Sequence, residues 1–253
     1  MTRSRTPQVH TALLPGGSAA VMDIRKGRGR WRHLNASAAH LWRDVTEGMP
    51  LDRAVERLAV RLEAQGAEPT TLWADLDALT GQLAETGLLT ADTAPPLPPE
   101  NRTIRTPLPP GTPLTGADRS AGFLGLLTAL TLLRCSPFRT TVGTARALGH
   151  LGRTPATADQ TDRLFHAVRH FARLWPGRAA CLEESLAVYL AAALRGLQVT
   201  WVLGARTAPA AAHAWVEAEG EVIGQDPADR TWPYVPALKV SSERPVPGVN
   251  ART

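Results

Sequence analysis

Cysteine is scarce in this chain: among 253 residues there are only two, Cys135 and Cys181. Two cysteines in dissimilar surroundings do not form a disulfide framework, which favours a reducing, cytoplasmic setting. The sequence has no CxxC pair and no histidine cluster at metal-ligand spacing, so we predict no metal site. It also has no glycine-rich phosphate loop, and we predict no cofactor.

Lysine is equally rare, because Lys26 and Lys239 are the only two. The net charge of +5 therefore comes almost entirely from arginine. These arginines are scattered singly, without the runs of like charge that mark nucleic-acid-binding tails. We predict solvated faces and no nucleic-acid partner, and an acidic peptide partner is the other interpretation of the same charge.

Long apolar runs are missing as well. The longest, from Ala121 to Leu133, is too short and too interrupted to span a bilayer, and the first ten residues lack the apolar core of a signal peptide. A hydrophobic share of 43% with 20% charged residues is typical of a globular protein with a buried core. We expect one large or two small domains.

The first 92 residues predict three short strands followed by three helices. Turn signals separate the strand-like runs, and Asn35, Pro50 and Pro69 mark the helix starts. A three-stranded sheet is marginal alone and needs the helices as a cover. We predict a winged-helix-like domain over residues 1–92, with a three-stranded antiparallel sheet and three helices.

A proline-rich segment follows, with eight prolines between Ala91 and Gly116. It predicts an extended linker over residues 93–116 and a domain boundary. Residues 117–253 then predict helices followed by three strands, Gln198–Leu203, Ala211–Ala218 and Glu221–Gln225. The tail from Pro227 is rich in proline, and we expect it to wrap the surface. The fold class is α+β.

Three residues in this second half have the chemistry of a thiol hydrolase or acyltransferase. Cys181 opens an apolar helix, where the helix dipole favours a thiolate. His213 enters a strand and Asp226 ends the next strand, so they supply a base and an acid that orients it. Pairing Ala218 with Glu221 across the hairpin turn places His213 opposite Asp226 on one face. The backbone N–H of Cys181 is the predicted oxyanion donor.

Other polar and thiol groups receive structural interpretations. Cys135 is expected to be a small buried hydrophobe. Glu183 and Glu184 are expected to point away from the sulfur or to bind substrate, because acidic groups beside a thiolate disfavour it. Packing roles are predicted for Ser185, Tyr189 and Trp215.

The segments CLEESLAVYLAAALRG, VTWVLGAR and HAWVEAEGEVIGQDP resemble the transglutaminase-like cysteine leader peptidases of lasso peptide biosynthesis, the B proteins. The resemblance covers about residues 120–230. It implies a papain-like or transglutaminase-like fold, with Cys181, His213 and Asp226 as the catalytic triad. It also implies an ATP-dependent lasso cyclase as partner.

The N-terminal pattern, with WRHLNASAAHLW between sheet and helices, resembles the precursor-recognition protein D of pyrroloquinoline quinone biosynthesis. In that family a leader peptide adds as a strand to the third strand and packs on the third helix. The resemblance implies a leader-binding set on this chain, comprising Arg30, Trp31, Arg32, His33, Leu34, Leu72, Leu76 and Leu79.

These observations favour a protease that binds the leader of a ribosomally made precursor peptide and cuts it from the core. Two alternatives stay open. An acyltransferase of the transglutaminase or arylamine-acetyltransferase kind would use the same triad to deliver the acyl group to an amine. A non-catalytic protein would only present the precursor to another enzyme.

Overall fold

The computed structural model describes residues 7–90, 92–98, 102–109, 112–177, 179–225 and 233–241. The first elements are three strands and three helices, in the predicted order. They are β1 (Val9–Leu13), β2 (Ala19–Asp23), β3 (Arg30–Leu34), α1 (Ala36–Thr46), α2 (Leu51–Ala64) and α3 (Pro69–Glu85).

The N-terminal sheet is antiparallel, in the order β1-β2-β3. Val21 lies opposite Thr11 on one side and Arg32 on the other. The side chain of Asn35 accepts a hydrogen bond from the Ala38 N–H at 2.9 Å and so caps α1. Leucines of the three helices cover one face of this sheet and bury its apolar side chains in a small core.

The second half begins with two short strands and four helices: β4 (Thr103–Ile104), α4 (Gly116–Cys135), α5 (Phe138–Gly149), β5 (Thr154–Pro155), α6 (Ala158–Ala172) and α7 (Cys181–Leu194). The remaining strands are β6 (Leu197–Gln198), β7 (Thr200–Arg206), β8 (Ala211–Ala218), β9 (Glu221–Ile223) and β10 (Val235–Ser241). Five strands form a sheet in the order β10-β7-β8-β9-β4, and β5 pairs with β6.

Helix α7 lies at the centre of this half. Every side chain from Ser185 to Ala193 is buried, which agrees with a helix that is apolar on all sides. Two glycines let α4 approach its neighbours closely. A Cβ at Gly122 would come within 2.7 Å of Ala167 in α6, and one at Gly125 within 3.0 Å of the Ala191 nitrogen in α7.

The two halves share packing across the uncovered face of the N-terminal sheet. Ala12, Leu14 and Ala20 of that sheet form one apolar cluster with Ala205 of β7 and Ala237 of β10. Met22 and Ile24 enter the large core of the second half. The sheet is therefore sandwiched between its own helices and the second half.

The proline-rich segment contacts both halves. Near its start, the Ala94 N–H donates to the Val9 carbonyl at 2.8 Å. Further along, β4 pairs in parallel with β9 and becomes an edge strand of the large sheet. Arg105 then donates to Glu221 at 3.1 Å and also pairs with Asp159. In its described residues, the segment is thus bonded to both halves, and its role as a linker stays a prediction.

The structure corrects two expectations. Residues 235–241, expected to wrap the surface, form β10, because alternating Leu238 and Val240 bury against the core while a shift of register accommodates Pro236. Cys135, expected to be buried, is exposed, because it is the last residue of α4. In the described part of the chain, no helix combines the length and apolar character needed to cross a membrane.

We predict that Gly125→Ala destabilises the protein by about 2 kcal/mol, because the new methyl group overpacks the contact between α4 and α7. Gly143→Ala is the matched control, since a Cβ there meets nothing within 4 Å and alanine favours the exposed helix. Urea unfolding of both variants measures the difference. Equal stability of the two variants would contradict the close packing of α4 on α7.

A second prediction concerns His10, which is 4% exposed between the two halves. Burial, followed by the nearby charge of Arg146, lowers its pKa from 6.5 to about 4. The unfolded chain then binds the proton more readily, so the contribution of His10 to stability is complete above pH 6.5. As the pH falls toward 4, this contribution to the free energy of unfolding decreases by about 3 kcal/mol.

Replacing His10 with leucine removes this titration. Chemical unfolding of both proteins at several pH values between 4 and 7 should therefore show a flatter pH dependence for His10→Leu. An identical slope for the two proteins would show that other groups dominate the acid sensitivity.

Candidate active site

Cys181 is the first residue of α7 and is partly exposed. Its neighbour Ala180 is extended, and the Ala180 N–H donates to the Glu183 carboxylate at 3.1 Å. This contact secures the start of the helix with a side chain from its own first turn. The free N–H groups of a helix N-terminus stabilise negative charge, so the position suits a thiolate and an oxyanion.

Glu184, the second acid beside the thiol, is held by Arg169 of α6. The Arg169 Nε donates to the Glu184 carboxylate at 3.1 Å, and its Nη2 donates to the Gly224 carbonyl at 2.6 Å. One guanidinium thus joins the first turn of α7 to the chain just after β9. Both acids beside Cys181 thus have structural contacts, and their orientation away from the sulfur stays a prediction.

His213 lies in β8 opposite Gly204 of β7. Its Nε2 is 3.0 Å from the Oε1 of Gln225, which follows Gly224 in the chain. With this oxygen as acceptor, Nε2 donates the hydrogen bond. Gln225 was not predicted as a site residue, although it stands directly before Asp226.

Two aromatic rings fix the His213 imidazole. Trp215 is stacked with it, with ring centroids 6.2 Å apart, and the Tyr234 ring lies 5.0 Å away. Trp215 in turn donates from Nε1 to Glu217 at 2.8 Å. Arg102, from the proline-rich segment, pairs with the same carboxylate. The rigidity of the His213 environment therefore depends on this segment.

The imidazole and α7 lie on different faces of β8. Ala214 and Val216 point into the core that contains α7, whereas His213 shares the opposite face with Trp215. Within the described residues, no hydrogen bond joins the Cys181 sulfur to His213. Such bonds are often long in unliganded enzymes and tighten only with substrate.

The Arg169 bridge nevertheless puts the start of α7 beside Gly224, and the next residue, Gln225, holds His213. The first turn of α7 and His213 are thus both linked to the chain just after β9.

The third predicted member, Asp226, lies outside the described residues. The hairpin that leads to it has the predicted register, with Ala218 opposite Glu221 and Val216 opposite Ile223. The described ladder ends at Ile223, so the place of Asp226 in the site stays a prediction.

The predicted leader-binding residues divide into two groups. Arg30 to Leu34 form β3, which pairs with β2 alone among the described strands and leaves its other edge open. Leu72 and Leu76 of α3 are buried in the N-terminal core, and Leu79 is partly buried against it. These leucines have packing contacts, and their role in leader binding stays a prediction.

The side chains with predicted packing roles are Ser185, Tyr189 and Trp215, and each has structural contacts. Trp201 Nε1 donates to the Ser185 hydroxyl at 3.0 Å, and the Tyr189 hydroxyl donates to the Ala145 carbonyl at 3.1 Å. Trp215 is fully buried. Within the described residues, no group of three or more His, Cys, Asp or Glu side chains could hold a metal ion.

Comparison with protein families gives one match. Residues 123–239 match the model of the transglutaminase-like superfamily, a range that contains Cys181, His213 and Asp226. The C-terminal domain is transglutaminase-like. Such a domain is consistent with a cysteine protease or an acyltransferase. No curated protein and no solved structure matches the chain.

We predict that Ser185→Ala destabilises the transglutaminase-like domain by about 2 kcal/mol, because it leaves the buried Trp201 N–H without its acceptor. Thermal unfolding measures this loss. Activity assayed well below the melting temperature should stay close to that of the parent protein. A large loss of activity in a folded Ser185→Ala variant would instead show that the hydroxyl takes part in the reaction.

Proposed function

We propose that this chain is a cytoplasmic cysteine protease that cleaves the leader from the core of a ribosomally made precursor peptide during lasso peptide maturation. The observation that carries the proposal is Cys181 at the N-terminus of a buried helix in a transglutaminase-like domain, where the first turn of that helix and His213 are both linked to Gly224 and Gln225. In the proposal, residues 1–92 bind the leader, residues 93–116 connect the domains and residues 117–253 cut.

The proposed reaction begins when the Cys181 thiolate attacks the carbonyl carbon of the scissile bond and the imidazole of His213 holds the thiol proton. Free N–H groups at the start of α7 stabilise the oxyanion. His213 then gives its proton to the leaving amine of the core, and a thioester joins the leader to Cys181. Water, deprotonated by His213, attacks the thioester, which releases the leader as a carboxylate and restores the thiol.

Orientation of the imidazole is assigned to Asp226, with the side-chain amide of Gln225 beside it. A carboxylate in this role holds one tautomer and stabilises the imidazolium that forms in the first step. The hydrogen bond between Gln225 and His213 supports this arrangement, since it holds the imidazole at Nε2.

Leader binding is assigned to the open edge of β3, with α3 as the second wall. An added strand would form backbone hydrogen bonds along Arg30–Leu34. It would place alternate side chains against the helices that cover the N-terminal sheet. The open edge supports this assignment. The freed core amine would then pass to an ATP-dependent cyclase, the partner that the resemblance implies.

The test is cleavage of a co-encoded precursor peptide, followed by mass spectrometry. Cys181→Ala should abolish cleavage, because no other group supplies the nucleophile, and His213→Ala should slow it by about a thousandfold. Cys135→Ala is the matched control, because this thiol is exposed at the far end of a different helix. It should leave the rate unchanged.

Product masses separate the alternatives. Hydrolysis gives free leader and free core, whereas an acyltransferase gives leader joined to an amine. Full cleavage by Cys181→Ala would overturn the catalytic assignment and leave only a binding role.

A further inference from the structure

A cleft with a volume of about 620 Å³ lies between the β2–β3 hairpin and the C-terminal end of α3. It is remote in sequence from Cys181 and belongs entirely to the N-terminal half. Cations outnumber acids among its lining residues: Arg25, Lys26, Arg28, Arg30 and Arg32 stand against Asp23 and Glu85.

One of these cations is part of the scaffold. Arg25 donates to both carboxylate oxygens of Asp23 and to the carbonyls of Thr86 and Gly87, at distances from 2.7 to 3.0 Å. These hydrogen bonds lower the pKa of Asp23, so the carboxylate is charged and is already neutralised by Arg25. The pair joins the sheet to the end of α3 and forms one wall of the cleft.

The other four cations are available to a ligand. Within the described part of the chain, no ion pair neutralises Lys26, Arg28, Arg30 or Arg32, and Lys26, Arg28 and Arg30 are exposed. The Nε of Arg32 is buried without a hydrogen-bond partner among the described residues. Buried polar groups are usually satisfied, so Arg32 indicates a place where an acceptor is expected.

The strand geometry points two of these arginines the same way. Arg30 and Arg32 share the face of β3 that carries Leu34, toward the cover helices, whereas Trp31 packs on the opposite face. A strand added to the open edge of β3 would place every second side chain on the arginine side. Acidic side chains at these alternate positions would meet the free cations.

We propose that this cleft selects peptide segments with acidic side chains at alternate positions, held as an added strand on β3. The inference rests on the proposed function, since it specifies the charge of the leader segment that the N-terminal domain takes. A peptide fits better than a nucleic acid. The open strand edge offers backbone hydrogen bonds, and the described lining contains no aromatic side chain on which bases could stack.

The test measures binding of fluorescein-labelled peptides of about ten residues to the full-length Cys181→Ala protein by fluorescence anisotropy. Three peptides alternate threonine with glutamate, glutamine or lysine. We expect the glutamate peptide to bind most tightly and the lysine peptide least. Raising the salt from about 50 mM to about 300 mM should weaken binding of the glutamate peptide alone.

The double variant Arg28→Glu with Arg30→Glu reverses two exposed cations. It should weaken binding of the glutamate peptide by about tenfold or more and remove most of the salt dependence of that binding. Arg119→Glu is the control, because it makes the same charge change at an exposed position of α4 in the other half. It should leave binding unchanged.

The inference would be overturned if the three peptides bound equally well. It would also be overturned if Arg119→Glu weakened binding as much as the double change at Arg28 and Arg30. Tighter binding of an oligothymidylate of similar length with the same dependence on Arg28 and Arg30 would overturn it as well. Cleavage is scored separately. If binding depended on peptide charge but the precursor were not cleaved, the inference would stand and the proposed function would be wrong. If the precursor were cleaved but peptide charge had no effect on binding, the proposed function would stand and the inference would be wrong.

Discussion

The burial of α7 is the constraint on which the rest of the structure depends. Its side chains from Ser185 to Ala193 are enclosed by α4, α6 and the large sheet, whereas its first turn is partly exposed and Leu194 at its other end is exposed. A helix so enclosed cannot shift along its axis without opening cavities on several sides, because protein interiors are close-packed. Cys181 is therefore held at a fixed depth by residues that take no part in chemistry.

Polar contacts at the helix start then fix what surrounds the thiol. Glu183 secures the first turn, while Glu184 and Arg169 tie that turn to Gly224 and hence to the segment that holds His213. The two acids beside Cys181 thus have structural contacts, since each carboxylate already has a donor.

The N-terminal sheet has two functions in the fold. One face packs on its own three helices, and the other packs on β7, β10 and α5, so both halves bury apolar surface on the same strands. The proline-rich segment also contacts the second half, because its Arg102 pairs with Glu217, the residue that accepts the hydrogen bond from Trp215. A peptide held on β3 would therefore be attached to a part of the molecule that packs directly on the transglutaminase-like domain.

Much of this architecture follows from local sequence. The three strands, the helix starts at Asn35 and Pro69 and the hairpin with Ala218 opposite Glu221 were all predictable, because turn residues, caps and apolar periodicity act over a few positions. Cys181 at a helix start was predictable for the same reason. By contrast, β4 and β10 are short or proline-containing strands that exist only because a neighbouring strand supplies their hydrogen bonds.

The side-chain partners were decided by tertiary structure alone. No local pattern links Arg169 to Gly224, Gln225 to His213 or Arg102 to Glu217, since each pair joins elements whose packing must form first. The face on which His213 lies and the open edge of β3 are also properties of the assembled sheets. The sequence by itself determined which residues have the chemistry, and only the fold decided which of them meet, because contacts distant in sequence depend on how buried surfaces pack.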